Sequence, residues 1–204
     1  MMGHMTPIHE QRLDHVFQRI KATGARRVLD LGCGEGALLH RLVGDSQFER
    51  IVGLEPCGQT LGAARALLVE PLMGAAGGRL ELVAGSLTEP QPALAGYDAA
   101  ALVETIEHVP PRDLSRLEQN VFGQMRPRSV LITTPNHDYN PLLGLAPGEF
   151  READHRFEWG QARFRRWAQR LAARHGYRVG FGSVGDVDPQ YGPMTQTALF
   201  RQAA

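Results

Sequence analysis

The sequence predicts an α/β fold of the doubly wound class, and three observations support this prediction. The apolar strand 27–31 runs directly into a glycine-rich turn and then into a helical segment, which is the first unit of such a sheet. A second apolar strand ends in the acidic residue Glu55. Further apolar strands alternate with helical segments, and two strands lie close together near the end. The length of 204 residues is that of one domain, so we expect 1–204 to form a single domain.

The elements are assigned from apolar periodicity and from the glycines and prolines between them. Helices are predicted at 6–22, 37–43, 59–69, 113–125 and 157–175. Strands are predicted at 27–31, 51–54, 80–84, 99–103, 129–133, 177–183 and 195–202, which makes seven. The segment 70–78 is predicted to be a loop. The segment 135–150 is rich in Pro, Gly and Asn, and we expect an ordered functional loop there.

Composition excludes several classes of protein. The longest apolar runs are too short for a membrane span, so no membrane is expected as a partner. Cys33 and Cys57 are too few for a disulfide framework, which favours a reduced, cytoplasmic setting. Residues 1–5 lack the apolar core of a signal peptide, and we interpret them as a candidate cloning scar. The chain itself is a candidate fragment of a longer protein.

The motif E-x-x-E-H at 104–108 follows directly after the predicted strand 99–103. If the turn there is helical, Glu104, Glu107 and His108 lie on one face, because positions i, i+3 and i+4 are neighbours on a helix. Two carboxylates brought together repel each other unless a cation lies between them. The motif therefore predicts a metal site. The alternative is a solvated loop with ordinary polar residues.

The turn at 30–36 has the sequence D-L-G-C-G-E-G, which differs from the dinucleotide pattern G-x-G-x-x-G. Its glycines allow a tight turn and a close approach of a ligand to the backbone. Glu55 at the end of the next strand can accept hydrogen bonds from both hydroxyls of a ribose. The turn contains no lysine, so it is not built for a triphosphate. A nicotinamide cofactor stays open as an alternative.

This combination resembles motif I of the class I S-adenosylmethionine (SAM) methyltransferases. The resemblance implies a Rossmann-like fold with a seven-stranded, mostly parallel sheet and helices on both faces. It also implies SAM as the cofactor, with the adenine near the end of the third strand. The cofactor-binding residues implied in this way are Asp30, Gly32, Gly34, Glu35, Glu55, Ser86 and Leu87.

Four stretches together resemble the Hen-type RNA 3′-terminal 2′-O-methyltransferases: 30–36, 103–109, 133–140 and 154–159. The resemblance is to the bacterial branch, in which the methyltransferase is the C-terminal part of an RNA-repair protein. It implies methylation of the 2′-OH on the terminal ribose of an RNA 3′ end. It also implies a polynucleotide kinase-phosphatase-ligase as partner. Two departures are Glu55, where Asp is usual, and Asp138, where Glu is common.

The resemblance also implies a set of catalytic metal ligands, namely Glu104, Glu107, His108 and His155. Carboxylates with imidazoles suit Mn²⁺ or Mg²⁺, and imidazoles favour Mn²⁺. His108 is the first candidate for the general base and His155 the second, although a ligating nitrogen cannot also accept a proton. If both histidines bind the metal, the metal-activated ribose hydroxyl loses its proton to water. The alternative for His155 is a structural histidine at a helix N-terminus, satisfied by Asp154.

RNA contacts are expected in two places. The segment 151–178 carries eight Arg against three acidic residues, an excess that can follow phosphates; the alternative is a solvated helix face. We also expect Asn136, Asp138, Tyr139 and Asn140 to line the entry for the terminal nucleotide. Three other functions stay open: a SAM methyltransferase for a small-molecule diol, a non-catalytic interaction domain, and a metal-dependent hydrolase.

Overall fold

One seven-stranded sheet organises the computed structural model, which describes residues 7–74 and 78–203. The strands are β1 Arg27–Leu31, β2 Arg50–Glu55, β3 Leu80–Ala84, β4 Ala99–Val103, β5 Ser129–Pro135, β6 Tyr177–Asp188 and β7 Gly192–Gln202. Their order is β3-β2-β1-β4-β5-β7-β6. β1 to β5 are parallel, and β7 runs antiparallel to both of its neighbours. The predicted seven strands and their mostly parallel arrangement are confirmed.

Six α-helices surround this sheet within the described ranges: α1 Pro7–Lys21, α2 Ala37–Val43, α3 Gly58–Leu67, α4 Val69–Met73, α5 Leu114–Glu118 and α6 Gln161–His175. Alternate side chains of β1 enter two separate cores. Val28 packs with residues of α1, α2 and α3, whereas Leu29 and Leu31 pack with residues of α5 and α6. This is the alternation expected of a strand with helices on both faces. None of the described helices is long and apolar enough to cross a membrane.

Several predicted boundaries were wrong. The helix predicted at 157–175 begins at Gln161, because Trp159 pairs with Asn136 in a β-bridge and holds the chain extended. The helix predicted at 113–125 is divided into α5 and a π-helix, Gln119–Met125. Part of the loop predicted at 70–78 is α4, and residues 75–77 lie outside the described ranges, as does the candidate scar at 1–5. The loop predicted at 135–150 contains a 3₁₀ helix, His137–Leu143.

The last two strands are longer than predicted because they form a continuous antiparallel pair. Their register runs from Tyr177 opposite Gln202 to Asp188 opposite Gly192, with an irregularity between Val184 and Val187. The apolar pattern fades before the strands end, so backbone pairing rather than burial determines their length.

Candidate active site

The glycine turn after β1 requires glycine for its backbone conformation. Gly32, Gly34 and Gly36 have φ of 80°, 54° and 88°, in the left-handed region that L side chains rarely adopt. At Gly32 a Cβ atom would also lie 2.5 Å from Cγ2 of Thr105. At Gly34 nothing lies within 4 Å of that position. The turn therefore leaves open space above its backbone.

This space belongs to a cavity of about 820 Å³ at the carboxyl ends of β1, β2 and β4. That edge is where open α/β sheets bind their ligands. All the cofactor-binding residues predicted from the resemblance line it: Asp30, Gly32, Gly34, Glu35, Glu55, Ser86 and Leu87. The carboxylate of Glu55 accepts hydrogen bonds from the backbone N–H groups of Gly34, at 3.1 Å, and Cys57, at 2.9 Å.

A valine at Gly34 is expected to abolish binding of SAM and of its demethylated product. A β-branched residue at φ 54° strains the turn, and its side chain would occupy the open space. Gly24→Val is the matched control, because Gly24 also has a positive φ and open space but lies in the turn before β1. Calorimetry should show binding to wild type and to the control. Equal affinity in all three proteins would contradict the assignment of this turn.

Asp30 is buried at the floor of the cavity, and its Oδ2 has no hydrogen-bond partner among the described residues. Burial, and then the nearby charge of Glu55, raise the pKa of Asp30 to about 7 from its ordinary value of 3.8. Between pH 3.8 and about pH 7, the Asp30 carboxyl is therefore protonated in the folded state and ionised in the unfolded state. Stability contributed by this proton is complete below pH 3.8 and disappears as the pH rises through about 7.

Asp30→Asn is therefore expected to flatten the pH dependence of stability in the ligand-free protein. Between about pH 4 and pH 7, the unfolding free energy of wild type should fall relative to the variant by about 1.4 kcal/mol per pH unit. Urea unfolding at several pH values measures the difference. Parallel curves for the two proteins would mean that Asp30 ionises normally.

Next to the cavity, Glu107, His108 and His155 offer ligand atoms that all lie within 4.8 Å of one another. Glu107 is completely buried; Thr134 Oγ1 donates to its Oε2 at 3.0 Å, while its Oε1 has no partner among the described residues. Burial and then the charge of Glu104 raise the pKa of Glu107 well above its ordinary range. A buried carboxylate oxygen without a donor is the arrangement expected where a cation binds.

The condition for one shared helical face at 104–108 is not met. Glu104 has φ 49°, in the left-handed region, and only Ile106–His108 form a turn of 3₁₀ helix. The Glu104 carboxylate accepts a hydrogen bond from Thr133 Oγ1 at 2.7 Å and lies 3.6 Å from Arg12 Nη1. Glu104 lines the cavity but lies outside the group of three ligand atoms. Its role as a fourth ligand stays a prediction.

Each imidazole of the group has a carboxylate close to its Nδ1, and that of His155 forms a hydrogen bond with it. His155 Nδ1 lies 2.6 Å from Glu158 Oε1, and His108 Nδ1 lies 3.1 Å from Asp154 Oδ2. When Nδ1–H donates to a carboxylate, Nε2 carries the lone pair that can bind a metal ion. The alternative interpretation of His155 was wrong in its details, because Asp154 contacts His108 and the helix begins six residues later.

Glu158 was missed as a site residue, since the sequence places it only among the charges of an arginine-rich segment. It is buried, and burial raises its pKa. Hydrogen bonds from His155, from Asn140 and from the Arg151 backbone N–H outweigh burial, so its pKa is lowered to about 2. Glu158 is therefore a carboxylate at neutral pH. Its spacing of three residues from His155 is the feature that could have revealed it.

The predicted nucleotide entry at 136–140 was also wrong for three of its four residues. Asn136, Tyr139 and Asn140 are buried. The Asn136 side chain donates to the carbonyl oxygens of Tyr191 and Pro193. Asp138 is exposed but accepts a hydrogen bond from the backbone N–H of Gln161, at the start of α6. None of the four lines the cavity, and Asn140 supports the site because its side-chain N–H donates to Glu158 Oε2 at 2.6 Å.

A buried carboxylate with a free oxygen and two imidazoles with carboxylate partners fit a divalent cation. Glu107, His108 and His155 are the described residues that would hold it, and Glu104 lies beside them. The mixture of oxygen and nitrogen donors without a thiolate suits Mn²⁺ and Mg²⁺. His108 also lines the cavity, so the cluster and the glycine turn share one space.

Comparisons with known proteins identify the family of the chain. A family model described as a methyltransferase domain matches residues 5–178. The chain is 34% identical to a small RNA 2′-O-methyltransferase of Tetrahymena thermophila, over 96% of this chain and 50% of that protein. It is 35% identical to a small RNA 2′-O-methyltransferase of Gallus gallus, over 88% and 49%. The chain thus spans about half the length of these relatives.

A solved structure extends the comparison to the fold. The methyltransferase domain of bacterial CtHen1 is 36% identical to this chain, covers 97% of it, and is itself covered completely, with a TM-score of 0.87. The chain has the class I SAM-dependent methyltransferase fold and belongs to the family of small RNA 2′-O-methyltransferases, the Hen1 family.

Proposed function

We propose that this protein transfers a methyl group from SAM to the 2′-OH of the 3′-terminal ribose of an RNA, with the help of a divalent cation. One observation carries the proposal. The cluster of Glu107, His108 and His155 opens through His108 into the cavity lined by the glycine turn. A methyl donor on that turn and a hydroxyl at that cluster would face each other. The family to which the chain belongs supports RNA as the acceptor.

The residues of the chain divide the work between binding and orientation. The glycine turn and Glu55 would hold SAM, and Glu107 and His155 would fix the position of the acceptor end. A divalent cation, when bound, lowers the pKa of a ribose hydroxyl and orients its oxygen. The two adjacent hydroxyls of a terminal ribose would distinguish it from an internal one.

His108 is the candidate proton acceptor. Its side chain is 37% exposed and lines the cavity, whereas that of His155 is only 5% exposed. Asp154 Oδ2 lies 3.1 Å from Nδ1 of His108, on the side of the ring away from Nε2. Nε2 can accept a proton only while it is not a metal ligand, so binding of His108 to the cation and proton transfer exclude each other.

An assay of methyl transfer to RNA ends tests the function. The protein is incubated with labelled SAM, Mn²⁺ and a short RNA, beside the same RNA ending in a 2′-deoxynucleotide. We expect label only in the first RNA, loss of labelling with excess chelator, and restoration by Mn²⁺ at least as well as by Mg²⁺. A catechol serves as the acceptor in a third arm. If only the catechol is labelled, the acceptor is a small-molecule diol and not RNA.

We also propose that the chain acts in RNA repair beside a polynucleotide kinase-phosphatase-ligase, in the reducing setting of the cytoplasm. The support is the resemblance to the bacterial branch together with the similarity to the bacterial CtHen1 domain. Co-purification of the full-length protein with such a partner tests this proposal.

A further inference from the structure

Helix α6 carries four exposed arginines on one side, which we call the arginine stripe: Arg163, Arg166, Arg170 and Arg174. Their spacings of three, four and four residues place them in one row along the helix. They line a groove of about 400 Å³ together with Trp159, Trp167, Leu171 and Glu118. The opposite side of α6 is buried through Phe164, Ala168 and Ala172. The charges are therefore presented outward in a fixed row.

The charge of the groove is strongly positive. Glu118 is the acidic residue that lines it, and its two oxygens are occupied by Trp167 Nε1 at 2.7 Å and Arg174 Nη1 at 2.8 Å. Within residues 7–74 and 78–203, Arg163, Arg166 and Arg170 form no ion pair. Three guanidinium groups are thus available for an external anion.

Other arginines of the same segment have different tasks. Arg151 is partly buried and donates to Asn140 and to the backbone oxygens of Asn136 and Met194. Arg165 lies over the ring of Phe181, 5.2 Å from its centroid. The arginines of segment 151–178 therefore have different surroundings in the fold. Among those that the structure describes, only the arginines of the stripe lie together around one groove.

The stripe begins close to the candidate active site. Arg163 lies over the ring of Trp159, at 5.1 Å, and Trp159 directly follows Glu158, the partner of His155. From Arg163 to Arg174 the helix rises about 16 Å, at 1.5 Å per residue. Helix α6 starts just after Trp159, which is bridged to Asn136 at the carboxyl end of β5, and it ends before Tyr177, which lies at the opposite end of the sheet. The positive groove therefore leads away from the edge that holds the candidate active site, over a length that suits several successive phosphates.

We propose that the arginine stripe binds the phosphates of the RNA strand that precede its methylated 3′ end. This inference rests on the proposed function and adds the path of the RNA to it. Guanidinium groups suit phosphates because their planar donors match two oxygens at once. A row of like charges that starts at the reactive end fits a polyanion that also ends there. The terminal ribose alone would not need such a row.

Double substitutions at matched positions test the stripe. Arg166→Gln with Arg170→Gln removes two charges from it, while Arg19→Gln with Arg65→Gln removes two exposed charges from α1 and α3. RNA affinity is measured by fluorescence anisotropy at several salt concentrations, with a single-stranded RNA. Each phosphate neutralised contributes a slope of about 0.7 in log K against log salt. We expect the stripe variant to lose about 1.4 of slope and the control to keep it.

Three further results decide the interpretation. A charge-conserving variant, Arg166→Lys with Arg170→Lys, should keep most of the slope, which excludes a folding defect. Unchanged RNA affinity and salt slope in the Gln variant would overturn the inference. The stripe would then be assigned to the binding of an acidic protein partner. Methylation of RNA by wild type in that case would leave the proposed function intact. Absence of RNA methylation in wild type would instead contradict the proposed function itself.

Discussion

Glu107→Gln is expected to reduce methyl transfer by more than a hundredfold and to make the ligand-free protein more stable. Gln has nearly the shape of Glu, and Thr134 can still donate to its oxygen. The charge that would hold the cation is lost, so the ribose hydroxyl is neither activated nor positioned. A misplacement of about 1 Å can cost on the order of a hundredfold in rate. SAM affinity should remain near wild type, because the glycine turn and Glu55 belong to other strands.

The gain in stability follows from burial. Glu107 is completely buried with one unpartnered oxygen, and the negative charge of Glu104 adds repulsion. A carboxyl whose pKa is raised on folding contributes stability that is lost as the pH rises above its unfolded value. Gln does not titrate, so the melting temperature of the variant should exceed that of wild type at neutral and alkaline pH.

Thermal melting with and without Mn²⁺ provides a measurement independent of activity. Metal at about a hundred times its dissociation constant should add about 2.7 kcal/mol to wild type, or roughly 5–10 °C. The Gln variant should show little of this shift. Glu118→Gln is the matched control, since Glu118 is a buried carboxylate of α5 outside the metal cluster. A full Mn²⁺ shift in Glu107→Gln would refute the assignment of Glu107 as a ligand.

The cofactor side of the site could be predicted from sequence because its parts are local. The glycine turn joins a strand directly to a helix, and Glu55 ends the neighbouring strand. In a parallel sheet these positions meet at one edge. The structure places these positions around one cavity, together with the other cofactor residues that the family resemblance implied.

The metal side depends on approaches between distant segments, which sequence spacing does not determine. Glu104 would share a face with Glu107 only in a helical turn, but its left-handed backbone turns it toward Thr133 and Arg12. Glu158 was placed in the predicted helix 157–175, and for His155 a structural histidine at that helix N-terminus was the alternative to a metal ligand. The β-bridge between Asn136 and Trp159 delays the start of the helix, and the backbone N–H of Arg156 donates to the carbonyl oxygen of Glu107 at 2.8 Å, which holds His155 beside Glu107. Apolar periodicity cannot separate an extended buried segment from the helix that follows it.

His155→Ala and Glu158→Gln are both expected to lower methyl transfer because each weakens metal binding, and the two losses should differ in size. His155→Ala removes a nitrogen from the cluster, so turnover should fall by more than a hundredfold at low Mn²⁺ and recover partly at high Mn²⁺. Glu158 does not line the cavity and is a positioning residue, because it fixes which nitrogen of His155 carries the proton. Loss of such a partner costs about 10- to 100-fold in metal affinity or activity.

Titration of activity with Mn²⁺ separates the two roles. Glu158→Gln should shift the Mn²⁺ concentration for half-maximal activity upward and reach nearly the wild-type rate at saturation, whereas His155→Ala should stay below it. Both should bind SAM like wild type, since neither residue lines the cavity. Wild-type turnover of His155→Ala at low Mn²⁺ would make His155 a structural histidine. The cation would then have to be held by the residues between Glu104 and His108 alone.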